Sequence, residues 1–230
     1  MNIAIIPARG QSKRIPRKNI KLMLGKPIIS WVIQAAIDSN MFDEIIVSTD
    51  DEEIAEISKN YGAKIPFLRP SNLSDDYVGL IDVIVHSINK LNNNNSDQDL
   101  FCCLLPTSIF FTKEDLIAGY KKVKHEKWKF SFSVSEFHSS IFRSFKLVDN
   151  GGVEMIFPEK YQSRTQDLPK CFYDVAQFYW GQRKSWLDEK ILFGPNSYPI
   201  VIPNYRAIDI DNENDWKIAE NLKKKLLNNN

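Results

Sequence analysis

Four apolar residues, Ile3-Ala4-Ile5-Ile6, run unbroken to Pro7 and open directly into a loop rich in cations. A β-branched run with no polar alternation has no face for water, so it reads as a strand buried on both sides, the kind parallel sheets contain. Parallel strands need a crossover, usually a helix. The next periodic segment supplies one: Pro27 to Ser39 carries Ile28, Ile29, Val32, Ala35 and Ala36 at helical spacing, with proline near the first turn.

The alternation then repeats. Ile45-Ile46-Val47 is a second buried strand, and Asp50 with Glu53 offers an N-cap and capping-box partner for a helix over Glu52 to Tyr61, ended by Gly62. A strand around Lys64 to Leu68, a helix near Asp82 to Leu91, a strand over Leu100 to Leu105 and a helix from Glu114 to about Glu126 extend the pattern. The expected fold class is α/β, a doubly wound, mostly parallel sheet with Ile3 to Ile6 as its central strand. After a strand over Phe130 to Ser135 the rhythm stops. Residues 136–170 are aromatic-rich and irregular around a Gly151-Gly152 turn, and they read as an insertion. The rhythm returns with Ala176 to Trp180, Tyr205 to Ile210 and a helix over Glu213 to Leu227. A chain of 230 residues with 43% hydrophobic content buries one sizeable core, so a single domain spanning 1–230 is expected, with 136–170 inserted in it. The asparagine run at 92–95, with Ser96 and Asp97, reads as a tolerant surface turn without a function of its own.

Bulk properties exclude several roles. A net charge of +1 creates no global field to recruit nucleic acid or an anionic membrane. Cys102, Cys103 and Cys171 show neither zinc-ligand spacing nor the even count of a secreted disulfide framework, which fits a reducing cytoplasm. No stretch approaches the roughly 20 apolar residues of a membrane span, and the N-terminal apolar run is too short for a signal peptide.

Charge is instead concentrated locally. Arg9, Lys13, Arg14, Arg17, Lys18, Lys21 and Lys26 precede the first acidic residue, Asp38, and such cations repel one another unless an anion sits among them. In open α/β sheets ligands bind beyond the carboxyl ends of strands, and this loop leaves that end of the first strand. Gly10 permits close approach of backbone N–H groups to phosphate oxygens, Arg9 offers a bidentate fork and Lys18 a point charge. A polyphosphate is the natural guest. A solvated basic loop is the plain alternative, disfavoured by this position and by the Gly-Gln-Ser centre. The loop has no Walker Gly-Lys-Ser/Thr closure and lacks the later glycines of a dinucleotide fingerprint.

Near the far end of the chain, Asp209-Ile210-Asp211 would put two carboxylates on one side of extended backbone and Ile210 on the other. That pair suits Mg²⁺, which takes one or two carboxylates and completes its shell with water and phosphate oxygens. The alternative is helix capping by Asp211 or Asn212. Arg164 is a candidate partner for a substrate carboxylate. Asp174, Gln177 and Tyr179 carry polar groups able to hydrogen-bond a ligand, with Gln177 and Tyr179 on one strand face and Phe178 and Trp180 on the other. His86, His125 and His138 form no ligand pattern.

The segment from Ile6 through Pro7-Ala8-Arg9-Gly10-Gln11-Ser12-Lys13-Arg14-Ile15-Pro16-Arg17-Lys18-Asn19 to Ile20 resembles the nucleotide-binding signature of the acylneuraminate cytidylyltransferases. Gly25-Lys26-Pro27, Val47-Ser48-Thr49-Asp50-Asp51, Phe67-Leu68-Arg69-Pro70, Leu105-Pro106-Thr107-Ser108 and Ile208-Asp209-Ile210-Asp211 resemble the same family in the same order. Within it, Ser163-Arg164-Thr165-Gln166-Asp167-Leu168-Pro169 and the run from Asp174 to Gly181 look most like the pseudaminic acid branch. Leu105 stands where sialic acid enzymes usually have Gln, Gln11 where Gly is usual, and Ala176 where the pseudaminate pattern tends to have Gly.

The resemblance implies a Rossmann-like nucleotidyltransferase fold and transfer of CMP from CTP to a nine-carbon acidic sugar. It implies CTP contacts at Ala8, Arg9, Gly10, Ser12, Lys13, Lys18, Asn19 and Arg69, catalytic roles for Arg9, Lys18 and Asp211, and Mg²⁺ on Asp209 and Asp211. It also implies that the segment after the fifth strand reaches a second subunit, in keeping with the apolar Phe137, Ile141, Phe142, Phe145, Phe157 and Tyr161 there, so a homodimer is expected. The general base is left open between Asp211, a metal-bound water and the substrate's own acidity. Competing readings are action on legionaminic acid, N-acetylneuraminic acid or Kdo, a uridylyl- or guanylyltransferase, and a nucleotide-binding homologue without turnover.

Overall fold

The computed structural model describes residues 1–75, 77–91, 96–189 and 191–228; the expected turn at 92–95 lies outside them. In chain order the elements are β1 (Asn2–Pro7), β2 (Leu22–Met23), β3 (Lys26–Pro27), α1 (Ile28–Ser39), β4 (Glu44–Ser48), α2 (Glu52–Asn60), α3 (Leu80–Lys90), β5 (Leu100–Leu104) and α4 (Lys113–His125). They continue with β6 (Phe130–Glu136), β7 (Phe145–Leu147), β8 (Val153–Met155), β9 (Phe172–Gln182), α5 (Arg183–Asp188), β10 (Ser197–Val201) and α6 (Glu213–Asn228).

Six strands form the main sheet in the order β10-β6-β9-β5-β1-β4. β1 pairs in parallel with β4 and β5, and β10 with β6, while β9 runs antiparallel between β5 and β6. β1 is thus an interior strand one place from the edge, and it is buried on both faces as its composition requires. Ala4 and Ile6 pack in one core with Ile28 of α1, Leu116 of α4 and Trp216 of α6. Ile3 and Ile5 pack in the other with Ile84 of α3 and Trp186 of α5. Cys102 and Cys103 divide between these two cores, so both thiols serve packing, and burial pushes both up. Among the described residues no helix is long and apolar enough to cross a membrane.

Two expected strands are absent. Residues 64–68 make only isolated bridges, Ile46 with Lys64 and Thr49 with Leu68. Tyr205 to Ile210 is a 3-10 turn, Asn204–Arg206, followed by irregular chain, and the neighbouring strand is β10 instead. The N-cap of α2 is Asp51, whose carboxylate accepts from Ile54 N–H at 3.0 Å; Asp50 turns to the basic loop instead.

β9 carries the largest irregularity. Phe132 faces Tyr179, yet Val134 faces Asp174, so two steps along β6 match five along β9 and three residues bulge out. Within the bulge Ala176 has φ 55°, a left-handed conformation that crowds a Cβ and favours glycine. We expect Ala176→Gly to stabilise the fold by about 0.5–1 kcal/mol, raising Tm by about 2 °C in thermal unfolding.

Between β6 and β9 an arm of 3-10 turns and the β7–β8 hairpin leaves the sheet. No residue from 141 to 170 is buried in the single chain, and Phe145, Leu147, Val153, Ile156 and Tyr161 are exposed.

Candidate active site

A cavity of about 680 Å³ opens at the carboxyl ends of β1 and β5, the position an open α/β sheet reserves for ligands. Two chemistries line it. One is polar and cationic, formed by Arg9, Gln11, Ser12, Lys13, Arg14 and Lys18. The other is largely apolar, with Leu73, Val78, Val83, Leu105 and Pro106 beside Thr107 and Arg69. Asp209 and Asp211 close the wall next to the cations.

The basic loop is organised by acids from elsewhere in the chain, so its cations are less uncompensated than the local sequence suggests. Arg17 forks onto both carboxylate oxygens of Asp51 and reaches Glu53 at 2.5 Å. These partners hold its guanidinium firmly protonated and hold Asp51 below the ordinary carboxylate range. Lys21 pairs with Glu213 at 2.6 Å, Arg14 with Asp211 at 2.6 Å, and Lys18 lies 3.8 Å from Asp211. Lys18 also donates to the Ile210 carbonyl at 2.7 Å, and burial lowers its ammonium below the usual lysine range. Asn19, itself buried, donates to the Arg9 carbonyl at 2.9 Å and so shapes the loop from within.

At two of the expected phosphate contacts the backbone N–H is engaged within the chain. The Ala8 N–H donates to the Ser48 carbonyl at 2.9 Å, and the Gly10 N–H donates to Asp50 Oδ1 at 3.0 Å; neither residue lines the cavity. Glycine is required at position 10 for another reason: a Cβ there would sit 2.5 Å from Asp51 Oδ2. Arg69 also lines this cavity. It is buried in the cavity wall, 3.7 Å from Asp50, and its Nε has no hydrogen-bond partner among the described residues. Burial lowers its guanidinium from the ordinary arginine value, and the residue is held in place by its N–H on the Thr49 carbonyl at 2.7 Å.

Asp209 and Asp211 both reach the cavity although their backbone is not a strand, and Ile210 between them is fully buried. The capping alternative resolves onto Asn212, whose side chain accepts from the N–H groups of Asn214 and Asp215 at 2.9 and 3.0 Å. Asp211 is thereby left to Arg14 and Lys18. The surrounding protein strips water from the Asp209 carboxyl and raises it above the ordinary aspartate value, and Asp211 adds repulsion.

A second cavity of about 860 Å³ adjoins the first, and Leu80 lines both. Asp174 and Tyr179 lie in its wall, joined by a hydrogen bond of 2.6 Å from the tyrosine hydroxyl to Asp174 Oδ2. The lining also holds apolar groups that sequence reading passed over, chiefly Ile81, Trp186, Leu192 and Phe193. Their one local signal was the Ile191-Leu192-Phe193 triplet in a short loop. Gln177 is not in this wall: it is 1% exposed, and its amide donates to the Arg206 carbonyl at 2.6 Å. Phe178 and Trp180 go to the core as expected. Arg164 lines neither cavity of its own chain; it pairs with Asp167 at 2.7 Å on the exposed arm.

Among the described residues no group of three or more metal-binding side chains occurs. The fit for a cation is therefore the Asp209–Asp211 pair, two hard oxygen donors whose mutual repulsion a cation would relieve.

The cytidylyltransferase family model matches residues 3–155. A pseudaminic acid cytidylyltransferase of Campylobacter jejuni is 45% identical over 97% of this chain and 96% of its own length. A CMP-N,N'-diacetyllegionaminic acid synthase of Legionella pneumophila is 31% identical over 96% of this chain and 95% of its own. Among solved structures, CMP:2-keto-3-deoxy-manno-octonic acid synthetase complexed with CTP superposes with a TM-score of 0.70, covering 97% of this chain and 98% of that one at 14% identity, a likeness of fold.

Proposed function

The chain belongs to the cytidylyltransferase family, and we propose that it transfers CMP from CTP to the anomeric hydroxyl of pseudaminic acid, releasing pyrophosphate. The observation that carries this reading is the seam between the two cavities. A cationic, half-apolar cavity sized for a nucleotide meets a second, carboxylate- and aromatic-lined one at Leu80, with Asp209 and Asp211 beside the cations.

The triphosphate lies among Arg9, Ser12, Lys13 and Lys18, and the base enters the apolar half beneath Arg69. The sugar takes the second cavity, where Asp174 and Tyr179 offer hydrogen-bonding groups and the facing apolar wall suits acyl methyls and deoxy carbons. Attack by the anomeric oxygen forms the bond to the α-phosphorus as the bond from that phosphorus to the bridging oxygen breaks; pyrophosphate leaves and the hydroxyl proton passes to water. Such transfer depends on positioning and on neutralising the phosphates. Arg9 and Lys18 neutralise, and Asp211 holds Arg14 and Lys18 in the cavity wall. Mg²⁺ would be held by Asp209 and Asp211 and would supply charge neutralisation at the phosphates.

The apolar, unburied arm from 137 to 161 is the proposed homodimer surface, and a role for Arg164 toward the sugar carboxylate is assigned across that interface. Light scattering at micromolar concentration is expected to give twice the mass of the 26.6 kDa chain; a monomer mass contradicts the dimer. The workplace is the cytoplasm, where CTP is made. For the nucleotide, thermal shift with CTP, UTP, GTP and ATP in Mg²⁺ tests the reading: the largest rise in Tm is expected from CTP, and an equal or larger rise from another nucleotide contradicts it.

A further inference from the structure

Asp209 and Asp211 stand on chain with no strand pairing, so side-chain anchors must set their position. Downstream the anchor is the Asn212–Asp215 cap of α6: Asp215 Oδ2 accepts from the N–H groups of both Asp211 and Asn212 at 3.0 Å. Upstream it is Arg206, three residues before Asp209. The Arg206 guanidinium bonds both carboxylate oxygens of Asp115 and donates to the Phe110 carbonyl at 3.0 Å. The two side chains are only 12% and 11% exposed, and Asp115 is itself fixed by the capping box of α4. The Arg206 carbonyl accepts the Gln177 amide at 2.6 Å.

Gln177 lies inside the β9 bulge, three residues after Asp174 and two before Tyr179. Its N–H, and that of Phe178, both donate to Ser133 Oγ, at 3.0 and 3.4 Å, which ties the bulge to β6. Its side-chain carbonyl oxygen is buried with no partner among the described residues. An apolar residue would avoid that unsatisfied oxygen, so stability alone gives a weak reason for glutamine here. Its amide has one visible task, which is to hold the Arg206 carbonyl.

We propose that Arg206 and Gln177 are positioning residues that lock the carboxylate-bearing segment of the first cavity to the bulge of the second, and so set the alignment of the two reactants. This rests on reading the cavities as nucleotide and sugar sites. One residue joins α4, the bulge and the chain leading to Asp209, whereas the turn of the basic loop at Arg9 and Gly10 is organised by Arg17, Asp51 and Asn19, and the contacts of Arg14, Lys18 and Lys21 go to residues 210–213, which the Asn212–Asp215 cap anchors from the other side. Loss of the lock should therefore spare CTP affinity and impair the transfer step. An error of about 1 Å in alignment is enough to cost about 100-fold in rate.

The test is steady-state kinetics of the full-length Arg206→Lys and Gln177→Leu proteins and of the double variant, with CTP affinity and Tm measured in parallel. Arg206→Lys keeps a charge for Asp115 and loses the fork; Gln177→Leu removes the amide together with its unpaired oxygen. Each is expected to lower kcat about 10- to 100-fold with the CTP dissociation constant within about 3-fold of wild type. The double variant should be little worse than the weaker single one, because both break one connection. If Arg206→Lys fails to fold, Gln177→Leu decides alone: full kcat in a folded Gln177→Leu protein overturns the proposal. Multiplicative losses in the double variant also overturn it. A wild-type protein with no turnover would remove the functional reading and this proposal with it, whereas active wild type with unaffected variants removes the proposal alone.

Discussion

Asp209→Asn is expected to lower kcat about 100-fold or more while leaving Tm equal to or above that of wild type. The two effects separate because the Asp209 carboxylate is disfavoured by the fold: partial loss of water and the charge of Asp211 both raise its carboxyl. Removing that charge relieves repulsion, so the folded state loses nothing. A neutral amide cannot hold a hard cation as a carboxylate does, and the neutralisation assigned to the Asp209–Asp211 pair is lost. Stopped assays for pyrophosphate with saturating CTP and sugar, alongside thermal unfolding, measure both quantities. Wild-type kcat would remove Asp209 from the reaction; a fall in Tm of several degrees would show that the carboxylate is structural.

Gly10→Ala should act on the nucleotide instead, raising the KM for CTP about 10-fold or more and costing about 1–3 kcal/mol in stability. The added Cβ would lie 2.5 Å from Asp51 Oδ2 and 2.9 Å from Asp51 Cβ. Asp51 has little room to withdraw, since its carboxylate is gripped by Arg17 and caps α2 through the Ile54 N–H. The loop must move, and it carries Arg9, Ser12 and Lys13 with it. Initial rates across CTP concentration check this. An unchanged KM would mean that the loop does not hold the nucleotide.

Much of the fold was legible because hydrophobic period reports burial. Ile3 to Ile6 had to be buried on both faces, and Ile28 to Ala36 had to present one helical stripe. Misreadings arose where tertiary contact outvoted local pattern. Residues 64–68 carry strand-like side chains, yet only two bridges form beside β4. Tyr205 to Ile210 alternates like a strand, yet Arg206 is drawn to Asp115, 91 positions earlier in the chain. That the two aspartates still face one cavity follows from Ile210, whose burial fixes the direction of its neighbours.

The site was legible in composition more than in detail. Clustered cations marked the phosphate loop, but the acids that order it, Asp51, Asp211 and Glu213, are distant in sequence. Gly10 invited a reading as a phosphate cradle, whereas the structure uses its missing Cβ to admit Asp51. Alternation grouped Gln177 with Tyr179, but no periodicity reveals a three-residue bulge, and in it Gln177 turns to Arg206. The apolar wall of the second cavity comes from α3, α5 and the loop after it, so the Ile191-Leu192-Phe193 triplet announced only part of it.

The central claim is transfer of CMP to one acidic sugar, and its most direct measurement is pyrophosphate release with CTP and Mg²⁺ against pseudaminic, legionaminic and N-acetylneuraminic acids and Kdo in parallel. Turnover with pseudaminic acid is expected at a kcat/KM at least about 10-fold above any other sugar, the scale on which a few apolar contacts discriminate. Preference for another sugar would contradict the assigned specificity, and no release with any sugar, despite measurable CTP binding, would contradict catalysis itself.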